Sequence, residues 1–360
     1  RYRLTPNSIM KMTFNPDFGQ VEADPSVLNL TAFETFYEEK RPFFSEGSKF
    51  FSQRLSLFHS RRIGKTPGYY FPEEGELENV PDYTTILGAT KIIGNTASGV
   101  NYGLIGAITS EEIGILIADS TDAQKNQKIV IEPKTNYTIG RFELPVINNI
   151  SRIGLMVTNV QRKSNPGATV TGLDWNLGLL DNKLFTNGQM VRSNVDNITG
   201  NAIRFNLGYI DPLWWSANFW YGNYGDKFDV NDLGYLRRND INWIGGKVEL
   251  RKQEPWGNFI NNKIEFKYKQ EWRGDGLVLQ KGLDIVQENL FSNYWRVGFF
   301  SKVFLPAYND NDIFRVDNAW AYKTELLGFA GPVISSDRRK KVVFEANIGV
   351  GYGKNRGRGH

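Results

Sequence analysis

Alternation of apolar and polar residues at period 2 is the feature that most restricts what this chain can fold into. In "KIEFKYKQEW" (263–272), Ile264, Phe266, Tyr268 and Trp272 share one side, and Lys263, Glu265, Lys267, Lys269 and Glu271 share the other. "VVFEANIGVGY" (342–352) repeats the pattern, with Val342, Phe344, Ala346, Ile348, Val350 and Tyr352 opposed to Val343, Glu345, Asn347, Gly349 and Gly351. So do Ile203, Phe205, Leu207 and Tyr209, and again Leu173, Trp175, Leu177 and Leu179. Strand side chains point alternately to opposite faces, whereas helical ones recur every 3.6 residues, so the chain reads as strands.

The alternating segments run to about ten residues, where strands of soluble proteins usually have 5–6. Ten tilted residues is the length that crosses a hydrocarbon core. Aromatic residues stand near the predicted strand ends at Tyr137, Tyr209, Trp214, Trp215, Trp272, Tyr294, Trp295 and Tyr352. Short turns at "DNK" and "NTASG" alternate with long polar connections at 111–135, 222–240 and 305–318. The expectation is an all-β fold of roughly 14 strands, an antiparallel transmembrane β-barrel of the outer-membrane type. Phe266, Tyr268, Val297, Phe299, Phe344, Ala346 and Ile348 are then expected to face lipid.

Composition removes several alternatives. No run of about 18 apolar residues is present, which rules out a transmembrane helix but not a barrel, whose mean hydropathy stays low; here it is -0.41. The net charge is +4 and the basic residues are scattered, which argues against nucleic acid as a partner. Cysteine is absent, so there is no disulfide framework and no thiolate metal site. A propeller would repeat at about 40–45 residues, and no such repeat is seen. A β-sandwich would bury the apolar face. The opposite face, rich in Gly, Asn, Lys and Arg, suits a wet lumen better.

One stretch breaks the rhythm. After a first strand near Ser8–Phe14, residues 14–52 carry seven carboxylates: Asp17, Glu22, Asp24, Glu34, Glu38, Glu39 and Glu46. The chain divides accordingly into a first barrel strand (1–14), a plug-like or lumen-packed insert (15–80) and antiparallel barrel strands (81–360). A structureless segment of that length is improbable unless it folds or fills something. Leu28, Leu30, Phe33, Phe36 and Tyr37 have helical spacing, and Pro42 is expected to end that short helix. The insert's carboxylates, with Arg41 beside them, are expected to form ion pairs, the strand partners being Lys263, Arg296 and Lys302.

The blocks "NPDFGQVEADPSVLNLTAFETFYEEKRPFFSEG", "FHSRRIG" (58–64) and "NDLGYLRRND" (231–240) resemble an uncharacterised bacterial domain family. That family commonly follows a carbohydrate-binding family 9-like module, and the strand pairs at 84–110 are similar to it as well. The resemblance implies an outer-membrane β-barrel of Gram-negative bacteria and supplies no catalytic residues. Family barrels usually run on past residue 360 and usually have the module upstream, so a longer barrel is expected.

Specific chemistry has few carriers. Asp17, Glu22 and Asp24 lack the spacing of a calcium loop, and no metal or other cofactor is expected. His59 and His360 are the two histidines. His59 adjoins Ser60, but neighbours in a strand point apart, and no nucleophile-elbow, zinc or P-loop motif is present. Enzymatic activity is therefore not expected, a glycan-active envelope hydrolase being the minor alternative. Arg61 and Arg62 could hold an anionic ligand or pair with the insert's carboxylates. Trp214, Trp215, Trp220 and Tyr224 could form a sugar platform, which the family's usual neighbour favours, or an interfacial belt. The expected function is to bind, transport or present a ligand, glycans among the candidates, at the cell outer membrane. A structural role in docking other envelope proteins is the alternative.

Overall fold

The computed structural model describes residues 1–16, 33–70, 76–117, 126–310 and 320–353. The chain opens with β1 (Tyr2–Thr5) and β2 (Ser8–Phe14), which pair with each other. Residues 33–70 follow with only short helical pieces: α1 (Pro42–Ser45) and two 3-10 turns, Ser48–Phe51 and Ser60–Arg62. β3 (Glu76–Glu78) leads to the hairpin of β4 (Ile86–Asn95) and β5 (Asn101–Thr109), and β4 also pairs with β2. β6 (Glu112–Ile117) and β7 (Gln127–Glu132) join β3 in a separate three-stranded sheet. β8 (Thr135–Val146) returns beside β5 and starts an unbroken meander. It continues through β9 (Asn148–Arg162), β10 (Ala168–Leu179), β11 (Leu184–Val195), β12 (Ile198–Ile210) and β13 (Trp215–Tyr224). β14 (Ile241–Lys252), β15 (Phe259–Trp272), β16 (Val278–Phe291) and β17 (Arg296–Phe304) follow in order. β18 (Ala307–Asn309) and β19 (Tyr322–Thr324) make a small ribbon. β20 (Leu327–Ser335) pairs with β17, and both β21 (Glu345–Asn347) and β22 (Val350–Gly353) pair with β20.

The fold is thus all-β, dominated by one antiparallel sheet of 17 strands. The described residues hold 22 strands against the roughly 14 expected, the surplus being shorter pieces: β1, β21 and β22 in this sheet and β3, β6, β7, β18 and β19 outside it. The expected single strand over 342–352 is broken between β21 and β22, and Pro332 explains the break. Ile348 donates to the Pro332 carbonyl at 3.2 Å, but proline has no N–H to return the bond, so the ladder lapses there.

The longest connections segregate to one end. The links at 96–100, 180–183, 211–214 and 292–295 are short and lie at one end of the sheet. The links at 15–85, 110–134, 225–240 and 305–326 are long and lie at the other. The long-link end also holds three short links, at 163–167, 196–197 and 273–277; in the second, Asp196 and Asn197 both have positive φ, as a two-residue turn matched to strand twist requires.

The register sorts the sheet into two chemically different faces. On one, a cross-strand row reads Phe142–Leu155–Leu173–Met190–Ile203, and another reads Leu207–Phe219–Gly246–Tyr268–Leu283–Val303. Most of these side chains are exposed, Leu155, Leu173, Met190 and Phe219 among them. Residues 41–63 cover part of the other face. There Phe44, Phe51, Leu55, Leu57 and Ile63 are buried against Ile105, Ile139, Met156, Val170 and Val191. Burying each large apolar side chain contributes roughly 1.5–3 kcal/mol. Gly103 and Gly172 make room for them: a Cβ on Gly103 would lie 2.6 Å from Phe51, and one on Gly172 would collide with Leu57.

The expected helix does not form over residues 33–41, and residues 25–32 lie outside the described residues. Pro42 starts α1 rather than ending a helix, since the first helical position needs no N–H. It also holds Arg41 extended (φ -70°, ψ 122°), which stops helix from propagating back through it.

Candidate binding site

The three sequence blocks singled out above meet at the long-link end. His59 N–H donates to the Leu233 carbonyl at 2.7 Å, and Tyr235 N–H donates to the Ser56 carbonyl at 2.9 Å. Tyr235 Oη–H reaches the Glu34 carbonyl at 2.7 Å. Arg62 forms a two-pronged pair with Glu34 (2.9 and 2.7 Å) and donates through Nε to the Gly234 carbonyl. The rings of Phe36, His59 and Tyr235 pack together with centroids 4.9–5.8 Å apart. Arg162–Asp232 and Arg238–Asp310 pairs tie this loop to its neighbours.

Beneath it lies a knot of buried polar groups. Glu39 accepts from Arg41 Nε (2.8 Å), Arg41 Nη2 (2.7 Å) and the Ser60 hydroxyl (2.6 Å). Arg41 also donates to the carbonyls of Ser60 and Ile63, so its buried charge is fully engaged. Burial alone would raise the Glu39 pKa, but the Arg41 hydrogen bonds and charge, with Ser60, outweigh it and hold the carboxyl below its ordinary value. Burial, reinforced by Arg62, lowers the His59 pKa to about 4, so the ring is neutral at physiological pH. The Ser60 hydroxyl donates to Glu39 rather than to His59, whose ring packs against Phe36 and Tyr235.

Farther along the covered face, the insert is clamped to the sheet. The Gln189 amide accepts from Leu55 N–H (3.0 Å) and donates to the Leu55 carbonyl (3.1 Å), as a strand neighbour would. Gln53 donates to Asp174 at 2.6 Å, and Asp174 is also held by both Nη atoms of Arg141 (2.8 and 3.0 Å). Lys91 donates to the carbonyls of Phe43 and Glu46, and Lys11 pairs with Glu46. Between this clamp and β14 a polar trough remains, made of two adjoining cavities of about 160 and 280 Å³ that share Arg54 and Asn187. Arg204, Asn206, Trp220 and Trp243 line one cavity, and Gln53, Arg141, Asp174 and Gln189 the other.

The sequence-predicted residues separate when placed. Trp214 and Trp215 lie at the short-link end, where Trp215 stacks near Tyr209 at 5.0 Å on the open face. Trp220 and Tyr224 fall on the covered face, so the four do not form one platform. Trp215 and Trp220 are five positions apart, and an odd offset in a strand means opposite faces. Arg62 is engaged by Glu34, while Arg61 donates to the Glu38 carbonyl at 3.3 Å and lies 5.7 Å from the Tyr37 ring. The insert's carboxylates meet the expected Arg41 and Arg62 but not the expected strand lysine Lys263. Glu34 and Glu39 pair within the insert, Glu46 reaches Lys11, and Lys263 pairs with Glu288 on the neighbouring strand instead. Asp17, Glu22 and Asp24 lie outside the described residues. Among the described residues no group of three or more His, Asp or Glu could hold a metal ion.

Arg54, Arg141, Asp174, Gln189, Arg204 and Trp243 were not singled out from sequence. A usable signal existed for one of them: "WYG" (220–222) and "WIG" (243–245) pair reciprocally, Trp220 against Gly245 and Gly222 against Trp243. Each indole lies across the neighbouring strand, over the position where that strand has no side chain.

No curated protein and no solved structure matches this chain. A family model does, over residues 1–360, and so the chain belongs to the family described as "Domain of unknown function (DUF5916)".

Proposed function

We propose that the chain forms wall strands of an outer-membrane β-barrel that binds, transports or presents a polar ligand at the cell envelope, with the 33–70 segment lying in the lumen as a partial plug. The observation that carries this reading is the open face, where apolar side chains adjoin one another across consecutive strands with no described segment over them. Water-exposed apolar patches on soluble monomers rarely exceed a few hundred Å².

The limits of the apolar band support the same reading. On β15 the open-face residues Ile264, Phe266 and Tyr268 are flanked by Asn262 and Gln270. Eight residues at about 3.4 Å each, tilted by about 40°, make a band about 21 Å tall, close to the ~25 Å apolar belt of such barrels. The covered face beyond the insert is charged, with Lys247–Glu265, Lys263–Glu288 and Lys269–Glu271 pairs, as a wet lumen would be. Trp214, Trp215, Tyr294 and Trp295, exposed at the short-link end, suit an interfacial girdle.

The test is expression in a Gram-negative host, followed by fractionation and alkaline carbonate washing. Recovery in the outer-membrane fraction after the wash is expected. Release into the soluble fraction as folded protein would defeat the proposal. Protease added to intact outer membranes separates plug from loop: the plug reading expects residues 41–63 to be protected.

A further inference from the structure

The polar trough holds more recognition chemistry than its own hydrogen bonds use. Arg54 is exposed and has no hydrogen bond or ion pair among the described residues. Its backbone is nevertheless fixed, because Gln53 and Leu55 on either side are tied to Asp174 and Gln189 of the sheet. A free guanidinium on an immobilised segment is pre-organised for a ligand, so little ordering remains to oppose binding. Asn206 Oδ1, Gln53 Oε1 and Arg141 Nε are buried around the same trough without a partner. Native structures rarely leave such atoms unsatisfied without reason.

Charge and shape define the complement. Asp174 neutralises Arg141, which leaves Arg54 and Arg204 as the uncompensated cations of the trough. Trp220 and Trp243 supply two flat apolar walls, held in place over Gly245 and Gly222. Asn187 and Asn206 add planar amides, which can donate and accept at once. A guanidinium matches a carboxylate in two-pronged fashion, indoles match the apolar face of a pyranose ring, and amides match its hydroxyls.

We propose that this trough, bounded by Gln53–Leu55 and the covered face of β10–β14, binds a carboxylated sugar unit, with the acid group on Arg54 and Arg204 and the ring against Trp220 or Trp243. The proposal rests on the reading of the covered face as a lumen, and it names the ligand class for that lumen.

The test uses the full chain in detergent micelles, titrated with trigalacturonic acid and, separately, with neutral maltotriose. Binding is followed by calorimetry and by tryptophan fluorescence. Trigalacturonic acid is expected to bind, to shift the emission, and to weaken as sodium chloride is raised. Maltotriose is expected to bind at least tenfold more weakly, and Arg54→Ala to cost about tenfold, the scale of one charge-assisted hydrogen bond. Arg54→Ala removes an exposed side chain, so its circular dichroism should match the parent chain. Arg54→Lys, which keeps the charge without the planar fork, should recover part of the loss.

Equal affinity for the two sugars, no binding of either by folded protein, or an unchanged affinity in folded Arg54→Ala would each overturn the proposal. Membrane recovery is measured on the same preparation. Protein that resists the carbonate wash but fails to bind overturns the ligand assignment alone. Protein that binds but is soluble overturns the barrel reading alone.

Discussion

Phe266→Arg is the sharpest perturbation of the proposed membrane face. Phe266 lies midway between Asn262 and Gln270, the polar residues that bound the open-face band of β15. Its cross-strand neighbours are Val248 and Ile285, both apolar. If that band spans lipid, the substitution sets a guanidinium near the midplane, which costs about 2–4 kcal/mol in barrels of this kind. That corresponds to about a 30- to 900-fold fall in the folded-to-unfolded ratio. Gln270→Arg stands four residues away, about 10 Å in depth, and should cost about 0–1 kcal/mol. Lys267→Gln, on the charged covered face, should stay within about 0.5 kcal/mol. In water, by contrast, an Arg at position 266 would keep its head hydrated and cost about 1 kcal/mol or less. The assay is urea unfolding in liposomes, read by tryptophan fluorescence and by the mobility difference of folded and unfolded protein on gels. A Phe266→Arg variant no less stable than Gln270→Arg would refute the lipid-facing assignment.

Gln189→Leu removes both bonds to Leu55 and leaves a buried N–H and C=O unpaired, so residues 50–57 should open more readily by about 1–3 kcal/mol per group. Faster hydrogen exchange at Leu55, with the β15–β16 amides unchanged, is the expected readout. Glu39→Gln leaves the buried Arg41 charge without its counter-ion and should destabilise the insert by about 3–5 kcal/mol. Because the Glu39 pKa is lowered on folding, its contribution is present above the unfolded carboxylate value and is lost as pH falls below it. The His59 pKa falls from 6.5 unfolded to about 4 folded, so the unfolded chain binds more protons between those values. Insert stability should therefore decline as pH drops from 6.5 toward 4, and His59→Phe should flatten that dependence in pH-resolved proteolysis. No hydrolysis of ester, peptide or glycan substrates is expected; turnover abolished by His59→Phe or Glu39→Gln would contradict this.

The strands and their faces were legible because a hydrogen-bonded ladder transmits one face assignment from strand to strand. Once Phe266 is assigned, the register carries the same side to Val248, Ile285 and Ser301. The insert was only partly legible: Arg62 was a candidate partner for its carboxylates and pairs with Glu34, but Tyr235 binds the Glu34 carbonyl from 201 residues away, which no local pattern signals. Pro42 was ambiguous in principle, since proline is compatible with the first turn of a helix as well as with its end. The aromatic run 214–224 was misleading for a simpler reason. Closeness along the chain looked like closeness in space, while parity had already placed Trp215 and Trp220 on opposite faces. Arg54 had no signature, because its role depends on what immobilises the residues beside it.

The facing lysines of β2 and β4 also impose an order of events during folding. Lys11 and Lys91 are directly opposed across the ladder, and like charges so placed repel. What relieves them comes from the insert: the Glu46 carboxylate for Lys11 and the carbonyls of Phe43 and Glu46 for Lys91. The β4–β5 hairpin closes over five residues, whereas β2 meets β4 only after a 71-residue excursion (15–85) has been looped out. Entropy and repulsion therefore both delay the β2–β4 seam until α1 has arrived. β2 is thus among the last strands of the sheet to be locked in place, and the segment that locks it is the one that covers the face.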